Sequence, residues 1–220
     1  LEKSDLVLYC NSDDRDAFSL IAPSASYESM FAPNGIKPLN LQEHMNYGPS
    51  KTFRAVFLGS GSEPNEQAAQ FLAHLVAPHF PNVIFDIVGS CLPEGGYPSN
   101  VVRHGVVDED TKMKILCQAD IALNPASSRS GSNPKVLEYF ACGLPVVSTS
   151  FGMRGVKATP NVHYVEAPIH RFNELLAVAV ADSTRLKEMA LAAYSLVCSD
   201  YTWDAIAESV SNRLKELVIQ

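Results

Sequence analysis

Residues 127–149, SSRSGSNPKVLEYFACGLPVVST, decide how this chain is read. The stretch opens on small polar residues that leave the backbone accessible. It continues as an amphipathic helix in which Val136, Leu137, Phe140 and Ala141 follow the i, i+1, i+4, i+5 spacing of a core-facing stripe. Asn133 or Ser132 can cap its start, Gly143 suits the C′ position, and Pro145 forbids continuation. A buried strand is expected at 145–148. Glu138 falls at the edge of the apolar stripe, neither in the core nor on the solvent face. Free N–H groups at a helix start form an anion site, and a carboxylate one turn further in can accept two hydrogen bonds from a diol. Phosphate and ribose together make a nucleotide, the first ligand this stretch suggests.

Outward from it, strands and helices alternate. Apolar strands are expected at 53–58, 83–88 and 121–123, with weaker ones at 101–104 and 162–165. Helices are expected at 65–76, 111–117, 172–180, 186–197 and 203–218. Strands apolar throughout, separated by helices, imply an α/β fold: a Rossmann-like, doubly wound parallel sheet with helices on both faces. Ligands bind such sheets beyond the carboxyl ends of the strands. Four loops there, at 59–62, 89–91, 105–107 and 126–133, carry small residues that allow close backbone approach, which together favour a small-molecule cleft.

The first 35 residues read as one strand–helix–strand unit, with strands at 6–9 and 27–32, too small to hold a core of its own. It is expected either to be mobile or to dock on the larger domain or a second chain. At 36–52 the apolar residues lose their period, which reads as a linker. The domain expected at 53–200 follows, closed by a helix at 201–220. The chain starts at Leu1 rather than methionine, so a processed or truncated piece is expected.

Composition narrows the function. The 220 residues carry a formal net charge of −7 and a pI near 5.3, against a general nucleic-acid binder, which needs a basic face. No apolar run reaches the roughly 18 residues of a membrane span, and no signal-peptide pattern is read. Five scattered cysteines without C-x-x-C spacing imply free thiols in a reducing compartment rather than a disulfide frame or a zinc site. A cytoplasmic protein is expected.

Three further signals bear on the chemistry. Gly59-Ser60-Gly61 after a strand has the start of a dinucleotide fingerprint, but Pro64 occupies the third glycine position. Asp108-Glu109-Asp110 matches a D-x-D metal motif, yet before a short helix it reads as an N-cap with acids complementing the helix dipole. His104, beside Gly105, either lines the cleft or is a hydrogen-bonded loop histidine.

The segment SGSNPKVLEYFACGLPVVSTSFGMRG (130–155) closely resembles the nucleotide-binding motif of GT-B glycosyltransferases of the group 1, or family 4, type. VFLGSGSEPNEQAAQFL (56–72) resembles the first strand and helix of that family's C-terminal domain. VVRHGVV (101–107), LCQADIALNPA (116–126) and YTWDAIAESV (201–210) resemble later segments. LVLYCNSDD (6–14) and FAPNG (31–35) resemble the end of the N-terminal domain.

The resemblance implies that Glu138 holds the ribose hydroxyls and that backbone groups at Gly105 and Val106 face the base. It also implies that Ser130, Gly131, Ser132 and Asn133, with Gly59, Ser60 and Gly61, face the sugar and diphosphate. The implied activity is transfer of a hexose-type sugar from a UDP-, GDP- or ADP-sugar, commonly with retention, without a metal or other cofactor. The acceptor, a carbohydrate or lipid-linked molecule, and part of the machinery would belong to the N-terminal domain, and the full-length enzyme could be membrane-peripheral. Two departures stand out. Many members have a glutamate where Ser130 stands, and an arginine and a lysine where Ser60 and Asn65 stand. Arg129 and Lys135 lie close enough in sequence to supply the missing charge. A nucleotide-sugar epimerase and a non-catalytic nucleotide-binding regulatory module are the alternative readings.

Overall fold

The computed structural model describes residues 4–21, 27–41, 52–127 and 133–219. Strands β1 (Leu6–Tyr9) and β2 (Glu28–Phe31) flank helix α1 (Ser12–Ile21) and pair in parallel, Leu6 opposite Glu28. This is the expected strand–helix–strand unit, and it is docked. Glu28 forms an ion pair with Arg213, and the Lys157 ammonium sits 4.7 Å from the centre of the Phe31 ring.

The larger sheet holds β3 (Phe53–Leu58), β4 (Val83–Val88), β5 (Val101–Gly105), β6 (Ile121–Asn124), β7 (Val146–Ser148) and β8 (Val165–Glu166). Its order is β5-β4-β3-β6-β7-β8, all parallel. The chain starts in the middle, builds outward through β4 and β5, then returns to β6 and builds the other way. That reversal is a topological switch point between β3 and β6.

Helices α2 (Glu63–Phe71), α3 (Glu109–Gln118), α4 (Pro134–Ala141), α5 (Phe172–Ala181), α6 (Ser183–Asp200) and α7 (Trp203–Ile219) complete the chain. Alternation along β3 divides the core. Ala55 and Phe57 face one cluster with Ala69, Leu72 and Phe172, while Val56 and Leu58 face another with Leu116, Leu137, Phe140 and Val197. Both faces are therefore covered, as parallel strands require. Beyond Phe71, α2 continues as a π-type turn, Leu72–Val76, and a 3-10 turn, Ala77–His79.

One expectation needs correction. The strand read at 162–165 is only Val165–Glu166, because Val162 is spent in a turn that bonds back to the Thr159 carbonyl. The described part of the expected linker is held by backbone bonds. The Ile36 N–H donates to the Tyr201 carbonyl and the Leu39 N–H to the Ala141 carbonyl, and the Leu39 carbonyl accepts from the Tyr194 hydroxyl. An aperiodic segment is held here by backbone groups, whose bonding leaves no sequence period. Among the described residues no helix is long and apolar enough to cross a membrane, and all five cysteines are free.

Candidate functional site

The carboxyl ends of β3, β4 and β5 are laced through glycines. The Gly59 N–H donates to the Val88 carbonyl at 2.9 Å, and the Gly89 N–H to the Gly105 carbonyl at 2.7 Å. Gly89 has φ +102°, and a Cβ there would lie 2.0 Å from the Gly59 oxygen, so no other residue fits. Gly105 also has positive φ, +68°, but a Cβ would meet nothing within 4 Å; its backbone borders open space, and Val106 beside it is 80% exposed. The carboxyl ends of three adjacent strands are thus tied to one another through these glycines.

Helix α4 supplies the opposite wall. The stripe of Val136, Leu137, Phe140 and Ala141 is buried as expected, with Tyr139 added. The Tyr139 hydroxyl accepts the Leu58 N–H at 2.7 Å, pinning α4 to the end of β3. Burial pushes this phenol well above its ordinary pKa, so it stays protonated. Gly143 takes positive φ, +66°, at the helix end. Asn133 occupies the N-cap position but does not cap with its side chain; its Nδ2 donates to the Phe151 carbonyl at 3.3 Å. Arg129, Ser130, Gly131 and Ser132 lie outside the described residues.

Lys135 points across the cleft. Its ammonium donates to Asn65 Oδ1 at 2.5 Å and lies 4.4 Å from the centre of the Phe57 ring. Asn65 in turn donates through Nδ2 to Ser60 Oγ at 3.1 Å. One hydrogen-bonded line therefore joins α4 to the loop after β3. Burial lowers the Lys135 pKa to about 8, against the smaller opposing pull of Cys91 and Glu138. Burial likewise raises the neighbouring Cys91 thiol to about 11, keeping it neutral.

Glu138 stands one turn along α4 from Lys135, about 5 Å on, with its side chain 27% exposed. Sequence reading missed its partner, Lys112, whose ammonium lies 2.6 Å from Glu138 Oε2 and 3.0 Å from Glu109 Oε2. Burial would lower the Lys112 pKa, but the two carboxylates outweigh it and the net shift is upward. No local signal marked this pair, since its members are separated by 26 positions. Beside Glu138 opens a pocket of about 520 Å³, walled by Ile36, Leu39, Met113, Ala141 and Cys142. The acidic run before α3 is a cap: Asp108 accepts the Thr111 N–H at 2.7 Å, which lowers the carboxyl pKa. His104 is hydrogen-bonded, its Nε2 lying 2.7 Å from Asp86 Oδ1.

The site thus presents a half-buried ammonium, a carboxylate one turn away and open backbone at Gly105. Residues 66–212 match the family described as glycosyl transferase-like. Among solved structures, HepE of Anabaena in complex with UDP superposes with a TM-score of 0.75 at 15% identity, covering 96% of this chain and 64% of that one. A glycosyltransferase from Rickettsia africae gives 0.75 at 11% identity, covering 97% and 64%. Sucrose-phosphate synthase from Thermosynechococcus elongatus gives 0.72 at 16%, covering 100% and 60%. The chain thus spans about three-fifths of the length of these proteins, and shares the Rossmann-like fold of GT-B structures over that span. No curated protein matches it.

Proposed function

Because the chain belongs to the glycosyl transferase-like family, we propose that it is the donor-binding half of a GT-B glycosyltransferase of the family 4 type. In this reading residues 53–200 bind a nucleoside diphosphate sugar, and residues 201–220 close the domain. The observation that carries it is the placement of Lys135 and Glu138 on one face of α4, at the switch point, with the Lys135 ammonium delivered to Asn65. That spacing suits a diphosphate beside the ammonium and a ribose diol beside the carboxylate.

The chemistry is departure of the nucleoside diphosphate from the anomeric carbon of a hexose-type sugar, with retention. Negative charge develops on the departing phosphate, and preorganised N–H groups and a cation aimed at it lower the barrier. Lys135 supplies the cation. The start of α4, with Pro134 in its first turn, adds the positive end of the helix dipole. Glu138 fixes the ribose and therefore the register of the diphosphate. The acceptor surface belongs to the other half of the GT-B fold, so transfer requires more than these 220 residues.

HepE is solved with UDP and with UDP-glucose, which is the reason to test uridine donors first. Calorimetric titration with UDP, GDP, ADP and their glucose conjugates tests the reading. Saturable binding of one nucleotide, weakened by Glu138→Ala and by Lys135→Met, is expected. Failure of all three nucleotides to bind would overturn it.

A further inference from the structure

Beneath the turn at Gly105 lies a buried charged frame that the donor site as described does not use. Strands β4 and β5 pair Ile87 with Arg103 and then Val88 with Gly105, so His104 is the extra residue of a bulge. Bulges re-aim a side chain. Here the imidazole meets Asp86, with Nε2 at 2.7 Å from Oδ1. An ionised carboxylate can only accept, so His104 donates through Nε2. Asp86 is fully buried, and it also takes Arg54 Nε at 2.8 Å and Arg54 Nη2 at 2.6 Å. Arg54 is fixed in turn, its backbone N–H donating to Asp120 Oδ2 at 2.7 Å and its carbonyl accepting the Asp120 N–H at 2.8 Å. The frame thus runs from the start of β6, through β3 and β4, into the bulge of β5.

The geometry points to His104, held by the Asp86–Arg54 pair, as a positioning residue for nucleobase recognition. The residue after His104 is Gly105, whose carbonyl takes the Gly89 N–H and whose positive φ turns the backbone toward the open cleft. This inference rests on the donor reading, which gives the Gly105–Val106 backbone to the base. The bulge sets where those backbone groups point, and the His104–Asp86 bond holds the bulge. Arg54 already balances the Asp86 charge, so His104 contributes direction rather than neutralisation. Asp86 itself is a poor site for a test, because its removal strands a guanidinium that is mostly buried.

The test compares His104→Ala with His104→Gln, whose amide nitrogen can restore the lost donor. Two readouts are made on the whole chain. Hydrogen exchange of the Gly89 amide, held by the Gly105 carbonyl, reports the turn without any ligand. Titration with uridine, UDP and pyrophosphate separates base from phosphate. The expected result for His104→Ala is at least tenfold faster exchange at Gly89 and at least fivefold weaker uridine and UDP binding. Pyrophosphate binding should be unchanged, and His104→Gln should recover most of both losses. Unchanged uridine affinity in His104→Ala would overturn the inference. So would an equal loss for pyrophosphate, or faster exchange throughout the sheet, either of which marks a merely structural role. The nucleoside and nucleotide are uridine and UDP unless the wild type binds GDP or ADP instead, in which case that base replaces them. Wild-type protein that binds none of the three nucleotides would overturn the donor reading as well, and shows itself before any variant is made.

Discussion

The Lys135 ammonium reaches Asn65 Oδ1 at 2.5 Å, bringing a cation from α4 to the start of α2. The resemblance to family 4 enzymes calls for a lysine at position 65 itself. A lysine from the facing helix arrives at the same place, and Asn65 accepts it as a neutral amide. On the proposed reading, the diphosphate site keeps a cation while its sequence position moves from one wall of the cleft to the other. Stacking over Phe57, at 4.4 Å, adds a cation–π contact that offsets part of the desolvation.

This placement makes two opposite pH dependences. The Lys135 pKa is lowered by burial to about 8 in the folded protein, below its ordinary 10.5. Above about 8 the folded chain releases a proton that the unfolded chain keeps, so stability of the ligand-free protein should rise with pH between about 8 and 10.5. Nucleoside diphosphate needs the protonated form, so its affinity should fall across the same window, by about tenfold between pH 7 and pH 9. The nucleotide is not the source, because its terminal phosphate, with a pKa near 6, is already ionised. Lys135→Met should flatten both slopes. Thermal denaturation and calorimetry over that range check them; an affinity loss that persists in Lys135→Met would assign it elsewhere.

Gly89 tests the lacing of the strand ends. A methyl group there meets the Gly59 oxygen at 2.0 Å in a left-handed backbone, so Gly89→Ala should cost more than about 2 kcal/mol in urea denaturation. Gly96→Ala, in the same loop with nothing within 4 Å, should stay within about 0.5 kcal/mol of wild type. Equal effects at the two positions would mean that the loop, and not the close approach of β3 and β4, sets the cost.

The order of strands and helices was legible because each signal was local and repeated. The α4 stripe, Gly143 and Pro145 lie within one dozen residues, and all behave as read. What was not legible depended on partners far away in the chain. The fragment VIFDIV reads as a buried strand despite its aspartate, and only the fold shows that Arg54 neutralises it and that His104 is hydrogen-bonded to it. Lys112 sits in the first turn of a helix with acidic neighbours, which gives no hint that it holds Glu138. Asn133 has the right chemistry for a cap, but the 3-10 turn Phe151–Met153 packs close enough to take its amide instead.

Tyr139 links the core to the cleft. Its hydroxyl is the acceptor for the buried Leu58 N–H, one residue before Gly59. Tyr139→Phe keeps the ring and strands that donor, so a loss of about 1–3 kcal/mol is expected in urea denaturation. UDP binding should weaken as well, because the end of β3 loses its tie to α4. A variant as stable as wild type would show that water or a backbone shift replaces the hydroxyl.

On the proposed reading, Glu138 holds the ribose. One carboxylate oxygen, Oε2, is engaged by Lys112, which holds the group in place. The other oxygen is left to face a diol, so the contact should be charge-assisted and sensitive to both ribose hydroxyls. Glu138→Ala should weaken UDP binding by roughly 1.5–3 kcal/mol, the range for hydrogen bonds to a charged group. The wild type should also prefer UDP to its 2′,3′-dideoxy analogue by a similar margin, and the variant should bind the two alike. Lys112→Met should act more weakly, by about 1 kcal/mol or less, since it removes only a partly exposed ion pair. Calorimetry with both nucleotides on all three proteins decides it. A Glu138→Ala variant that still discriminates against the dideoxy analogue would move the ribose to another carboxylate in the cleft, with Glu109, bound to the same lysine, the first to examine.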